Sequence, residues 1–299
     1  MTSFASATAF IVLYGLSYGL VLFLIAIGLV VTMGLMRVMN LAHGAFAAHG
    51  GECAVGGYLA VSLMNVEGVP FPAALAIAVI GVAALSVVLE RLIYAHLYNK
   101  PPLDQVLMTL GVNFVVIGGL ALLFGPNLFP MRLPDFLRGN VDLGFRTFEL
   151  YRIFVIAAGA AVVIILWFGF DRTNFGARLR AAVDNPSMAR AIGINVDRLF
   201  ALSFAIGSGL AAFGGAVGAA MLPLEPLYPL KYLVFVLIVV SLAGSGGVWA
   251  AFGAAITVGI IDTAGRYLLP DVGSFLIYVL LIVLVVWRRE GLFSGKSAT

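Results

Sequence analysis

The stretch FIVLYGLSYGLVLFLIAIGLVVTMGLM, residues 10–36, holds no charged side chain and no proline. A membrane-spanning helix needs about 20 mostly apolar residues, because each residue advances about 1.5 Å and the hydrocarbon core is about 30 Å thick. A removable secretory leader would open on basic residues and carry an apolar core of about 7–15 residues. No Lys or Arg precedes Arg37, and the run is too long for a leader, so it reads as a retained first span.

The same texture recurs outward from it, at 41–63, 70–95, 105–124, 152–170, 199–221, 231–244, 248–268 and 273–288. Hydrophobic residues make up 62% of the 299 and charged residues only 10%, where a soluble domain carries roughly 25% charged. Mean hydropathy is +1.10. The expected fold is an all-α integral membrane protein, one transmembrane domain over 1–299 with about 8–9 transmembrane helices. Segment 41–63 is rich in Gly and Ala, and 231–244 is short and ends in Gly244-Ser245-Gly246-Gly247. Either is a candidate for a broken or re-entrant helix lining a cavity. The 35 glycines suit helices that approach closely through small residues.

Net charge is +3, and the basic residues are scattered through loops rather than gathered into a nucleic-acid patch. They read as topology determinants. With nine crossings, one side holds Arg37, Arg91, Lys100, Arg172, Arg178, Arg180, Arg190, Arg198, Arg288, Arg289 and Lys296. The other holds Arg132, Arg138, Arg146, Arg152, Lys231 and Arg266. The bias of 11 against 6 places the first set and the C-terminus in the cytoplasm, with the N-terminus outside. Eight crossings plus a re-entrant segment would bring the N-terminus inside. The lone cysteine, Cys53, allows no internal disulfide.

Two connections are long. The first, about 125–151, contains Pro126, Pro130 and Pro134 and nearly balanced charge, and reads as an outer loop, either a docking surface or a plain connector. The second, about 171–198, carries helix signals. Asn185 is a good N-cap, Pro186 suits a first helical position, and Gly193 offers a left-handed stop, which predicts a two-turn helix over Pro186 to Ile192. Thr173 or Asn174 could cap another short helix carrying Arg178 and Arg180. A helix of two turns is unstable alone in water and needs a surface, its own protein or another subunit. Met188 and Ile192, four apart, share one face.

This loop, with Gly176, Arg180, Ala181, Asn185-Pro186, Ala189 and Gly193-Ile194-Asn195, resembles the cytoplasmic coupling loop of ABC importer permeases, and its spacing is that of the LivH-type branched-chain amino acid permeases. Asn40-Leu41-Ala42-His43-Gly44 resembles that family's Asn-Phe-Ala-His-Gly segment, although Ala45 stands where an acidic residue is usual. Related sugar permeases typically carry Asp-Leu-Ser instead, which argues against a sugar. The resemblance covers essentially the whole chain. It implies a multi-pass bacterial inner-membrane subunit that pairs with a second, LivM-like permease. Two cytoplasmic ATPases would dock on the loop through Gly176, Arg180, Asn185, Pro186, Ala189, Arg190 and Gly193, with Arg180 and Arg190 meeting acidic residues on the ATPase rim. A solute-binding protein outside would deliver a branched-chain or related amino acid. Asn40, His43, Gly44 and Glu52 are the expected substrate-pathway residues.

Ionisable groups inside spans are functional candidates. Glu52 qualifies, and so does Asp262, which Arg266 one turn later could simply neutralise. His49 and Cys53 share a helix face, but two ligands on a Gly-rich helix do not close a tetrahedral metal site. No catalytic motif and no cofactor motif appears: Gly291 to Ser297 falls one residue short of a phosphate loop. The competing readings are a permease for urea, short amides or another small apolar carboxylate, and a secondary transporter working alone.

Overall fold

The computed structural model describes residues 2–36, 42–94, 96, 100–142, 144, 147–244 and 246–287. The protein is an all-α polytopic bundle. Among the described residues its long helices are α1 (Thr2–Met36), α2 (Ala42–Asn65), α3 (Phe71–Leu89), α4 (Pro102–Phe124) and α5 (Leu150–Asp171). Two short helices follow, α6 (Asn174–Asp184) and α7 (Pro186–Ala191), then α8 (Val196–Gly218), α9 (Tyr228–Ala243), α10 (Gly247–Leu268) and α11 (Gly273–Trp287). Each apolar segment of the sequence is thus a helix. Among the described residues six of them, with α3 counted together with the π-helical turn that ends it, are long and apolar enough to cross a membrane.

The helices alternate in direction. Tyr14 of α1 meets Phe148, which precedes α5, with ring centroids 5.3 Å apart. Phe10 meets Tyr267 near the end of α10 at the same separation. Asn65, ending α2, donates through Nδ2 to the Pro130 carbonyl at 2.8 Å. These contacts define one end of the bundle. The α6–α7 pair and the start of α8 lie at the other, since α1 runs antiparallel to α8 and Gly28 abuts Gly207.

α1 is the central pillar, packed on α10, α8, α5 and α9. Its residues from Leu20 to Val31 are almost wholly buried. Lipid tails are as apolar as Leu, so hydrophobicity alone does not hold such helices together, and close backbone approach supplies the attraction. A Cβ added to Gly19 would lie 2.7 Å from the Ala255 carbonyl oxygen, and one on Gly15 would lie 2.7 Å from Ile260 Cα. On the other flank Gly214 of α8 fits against the Leu24 backbone. α2 packs on α8 through Gly56 and Gly57, and it is one continuous helix, so its glycines serve contact rather than a break. By contrast α9 has only 16 residues, about 24 Å. Residues 219–227 before it are irregular and fold back inward: Leu224 is fully buried, and its carbonyl accepts from the Phe129 N–H at 2.8 Å.

Two features lay outside the sequence reading. The connection between α4 and α5 contains a short antiparallel hairpin, β1 (Asn140–Asp142) with β2 (Thr147–Glu149), beside a 3-10 turn at Asp135–Leu137. α3 ends in a π-helical turn, Glu90–Tyr94, in which Glu90 is buried.

Candidate functional site

At the end opposite the hairpin, α6 and α7 form a compact two-helix unit. The Asn185 side chain accepts from Met188 N at 3.0 Å, as an N-cap should, and Pro186 takes the first helical position. Gly193 has φ +86°, and Ile194 N returns to the Ala189 carbonyl at 2.9 Å, closing the helix with a left-handed stop. The helix spans Pro186–Ala191. Thr173 occupies the N-cap position of α6, but its side chain turns back to the Gly169 carbonyl instead of capping.

The unit is seated on its own protein. Gly176 lies against the Phe170 backbone so closely that a Cβ there would overlap it. Arg180 Nη1 donates to the Phe170 carbonyl at 2.8 Å, fixing the corner between α5 and α6. Arg190 pairs with Asp197 at 2.9 Å. Both arginines therefore have partners within the chain, and the Arg190 side chain remains 57% exposed. Ala189 is 2% exposed and faces inward. The outward face is made instead by Met188, 60% exposed, and Ile192, 67% exposed.

Of the expected pathway residues, Asn40 lies outside the described residues. His43 and Gly44 fall in the first turn of α2, and the surroundings of their side chains lie outside what is described. Glu52 is buried, with Ser208 of α8 beside it. On α4 a polar stripe that the sequence reading missed, Gln105, Thr109 and Asn113, is buried. Asn113 points at Gly51, where a Cβ would sit 3.2 Å from its Oδ1. The four-residue spacing of three polar side chains in an apolar run was the signal that could have found it.

A cavity lies elsewhere, at the hairpin end. It measures about 560 Å³ and lies between α1, α5, α9 and α10, with the 221–223 segment at its edge. Phe10, Tyr14, Tyr18, Tyr232 and Phe235 supply aromatic walls, and Arg152, Lys231, Asp262 and Arg266 supply charge. Arg152 bonds Glu149 at 3.0 Å and Ser17 Oγ at 3.2 Å and lies over the Tyr14 ring at 4.3 Å. Lys231 pairs with Glu225 at 2.6 Å, and Asp262 with Arg266 at 2.9 Å. Asp262 and Arg266 thus neutralise each other, as their spacing suggested, yet they do so in the wall of a cavity.

Residues 11–285 match the family model described as the permease component of the branched-chain amino acid transport system. The chain is 26% identical to the probable branched-chain amino acid transport permease protein LivH of Methanocaldococcus jannaschii, over 77% of this chain and 74% of that one. It is 30% identical to the galactose/methyl galactoside import permease protein MglC of Escherichia coli, over 69% of this chain and 62% of that one. LivH of Escherichia coli is 23% identical over 68% of each. The match spans about three fifths of the MglC relatives, and amino acid and sugar permeases stand together among the similar proteins. The chain belongs to the permease-component family of branched-chain amino acid transport systems, the multi-pass membrane part of an ABC-type import class that also serves sugars.

Proposed function

We propose that the chain is the membrane-spanning subunit of an ABC importer that carries branched-chain or related amino acids across the bacterial inner membrane. On this reading ATP hydrolysis takes place on two separate cytoplasmic ATPases. A second, LivM-like permease completes the channel, and a solute-binding protein delivers the ligand outside. The carrying observation is α7, a capped two-turn helix that turns Ala189 into its own protein and presents Met188 and Ile192 outward. Two adjacent apolar side chains held rigidly at the end of a membrane bundle suit a groove on a docked subunit. Closure of the ATPase pair would then rotate the bundle through α6 and α7.

The test is the assembled complex. Met188→Asp with Ile192→Asp is expected to abolish ATP-driven leucine uptake and to release the ATPases on size-exclusion chromatography. Full uptake by that variant would sink the reading. A sugar-carrying permease is the second reading, favoured by the MglC relatives and by the aromatic cavity walls. Galactose uptake in place of leucine uptake by the same complex would select it.

A further inference from the structure

The hairpin-end cavity stops at a floor of aromatic rings. Tyr18 of α1 meets Phe235 of α9 edge-on at 6.4 Å between centroids, Tyr232 stands 6.1 Å from Phe235, and Tyr228 lies 4.5 Å from Tyr232. On one side of this floor the cavity is open: the Lys231 and Arg266 side chains in its wall are 52% and 54% exposed. On the other side lies a second, much smaller pocket of about 10 Å³, walled by Ile25, Gly50, Cys53, Pro229 and Val236. Ile25 is two helical turns beyond Tyr18 on α1, so this pocket is deeper in the bundle. Tyr232 is the one residue that lines both spaces.

Protein interiors are close-packed, and a buried side chain is held by atoms on every side. Tyr232, 7% exposed, is instead bordered by space on two sides. Rotation about χ1 could carry its ring into a cavity of about 560 Å³ without moving the backbone. What holds the ring on the cavity side is weak: Lys231 Nζ stands 5.9 Å from the ring centroid, and Lys231 is itself tied to Glu225 at 2.6 Å. The surrounding wall is also incomplete. α9 has only 16 residues and is entered from the irregular, inward-folded stretch 219–227. Irregular backbone at such depth is tolerated where it is buried in protein or lines a cavity, and breaks of this kind flank the path in transporters. We propose that Tyr232 is a gate: its ring closes the floor of the hairpin-end cavity in this structure, and its rotation joins that cavity to the Cys53 pocket and to the centre of the bundle. The assignment rests on the importer reading and adds to it the residue at which the path is shut.

Cys53 is the chain's lone cysteine and is 0% exposed, so the protein carries its own reporter behind the gate. The whole chain in lipid nanodiscs is treated with 2-sulfonatoethyl methanethiosulfonate, a charged thiol reagent that does not cross lipid, and labelling is read by mass spectrometry. A buried thiol reacts only through transient local openings. Tyr232→Ala is expected to speed the labelling of Cys53 by at least about tenfold. Tyr232→Phe keeps the ring and should label at the wild-type rate. Phe252→Ala removes a ring that packs on Phe23, away from both spaces, and should also leave the rate unchanged. An unchanged rate in Tyr232→Ala overturns the gate, and so does equal acceleration by Phe252→Ala, which would mean general loosening of the bundle. In the assembled wild-type complex, ATP turnover is expected to raise Cys53 labelling above its resting rate. Labelling that stays at the resting rate during ATP-driven uptake makes the ring a fixed wall and overturns the gate too. Full uptake by the Met188 and Ile192 variant would sink the docking reading and leave the nanodisc rates as they are, so the two failures are told apart.

Discussion

At the residue scale, glycines set what the bundle tolerates. Gly19 stands where a Cβ would be 2.7 Å from a carbonyl oxygen and 2.9 Å from Ile256 Cα, both backbone atoms that cannot rotate away. Gly19→Leu is expected to force α1 and α10 apart and to cost about 1–3 kcal/mol, visible as a lower thermal unfolding midpoint in detergent. Gly111→Leu on α4 meets nothing within 4 Å and should leave that midpoint unchanged. Both glycines look alike in the sequence; their difference is tertiary. The signals that were legible there are the ones acting over one helical turn: Asn185 caps, Pro186 starts, Gly193 stops and Asp262 finds Arg266. The inward face of Ala189 and the internal partners of Arg180 and Arg190 depend on how α6 and α7 fold back on α5 and α8, which no local pattern encodes.

At the element scale, the nine apolar segments were readable because hydropathy over about 20 residues is a strong signal. The hairpin was not, since three-residue strands carry almost no period. Two elements yield tests. Asn185→Ala removes the cap of α7, a loss of about 1 kcal/mol in a helix of six residues, and faster amide exchange confined to residues 186–192 is the expected result. The outer connection is pinned by Asn65, which donates to the Pro130 carbonyl and accepts from Arg132 N at 3.3 Å. Asn65→Ala should raise the rate of tryptic cleavage after Arg132, read on a gel, with the helices unaffected.

At the scale of the whole molecule, the structure puts the hairpin and the α6–α7 pair at opposite ends, and from the bias of the loop charges we propose that the first faces outward and the second the cytoplasm. Val141 and Met188 are exposed, one at each end, and Cys53 is buried. Val141→Cys should therefore react with an impermeant thiol reagent in intact cells, and Met188→Cys only after permeabilisation; the reverse pattern would invert the protein. Glu52, the candidate pathway residue whose side chain is described, is not in the lining of the hairpin-end cavity. That cavity is assembled from α1, α5, α9 and α10, which are distant in sequence, so nothing short of the fold could have gathered Arg152, Lys231 and Asp262 into one wall.

The polar stripe on α4 bears on how the chain is made. α4 rests chiefly on α2, and its buried edge carries Gln105, Thr109 and Asn113. The first two turn hydrogen bonds back onto their own chain: Gln105 to the Lys100 carbonyl at 2.8 Å, and Thr109 to the Gln105 carbonyl at 2.9 Å. Asn113 has no such local outlet. A newly inserted α4 is apolar enough to leave the translocation machinery alone, yet one side of it is poorly suited to fatty acyl chains. Packing onto the Gly51 side of α2 withdraws that edge from lipid, so the stripe favours this neighbour over a place facing the acyl chains.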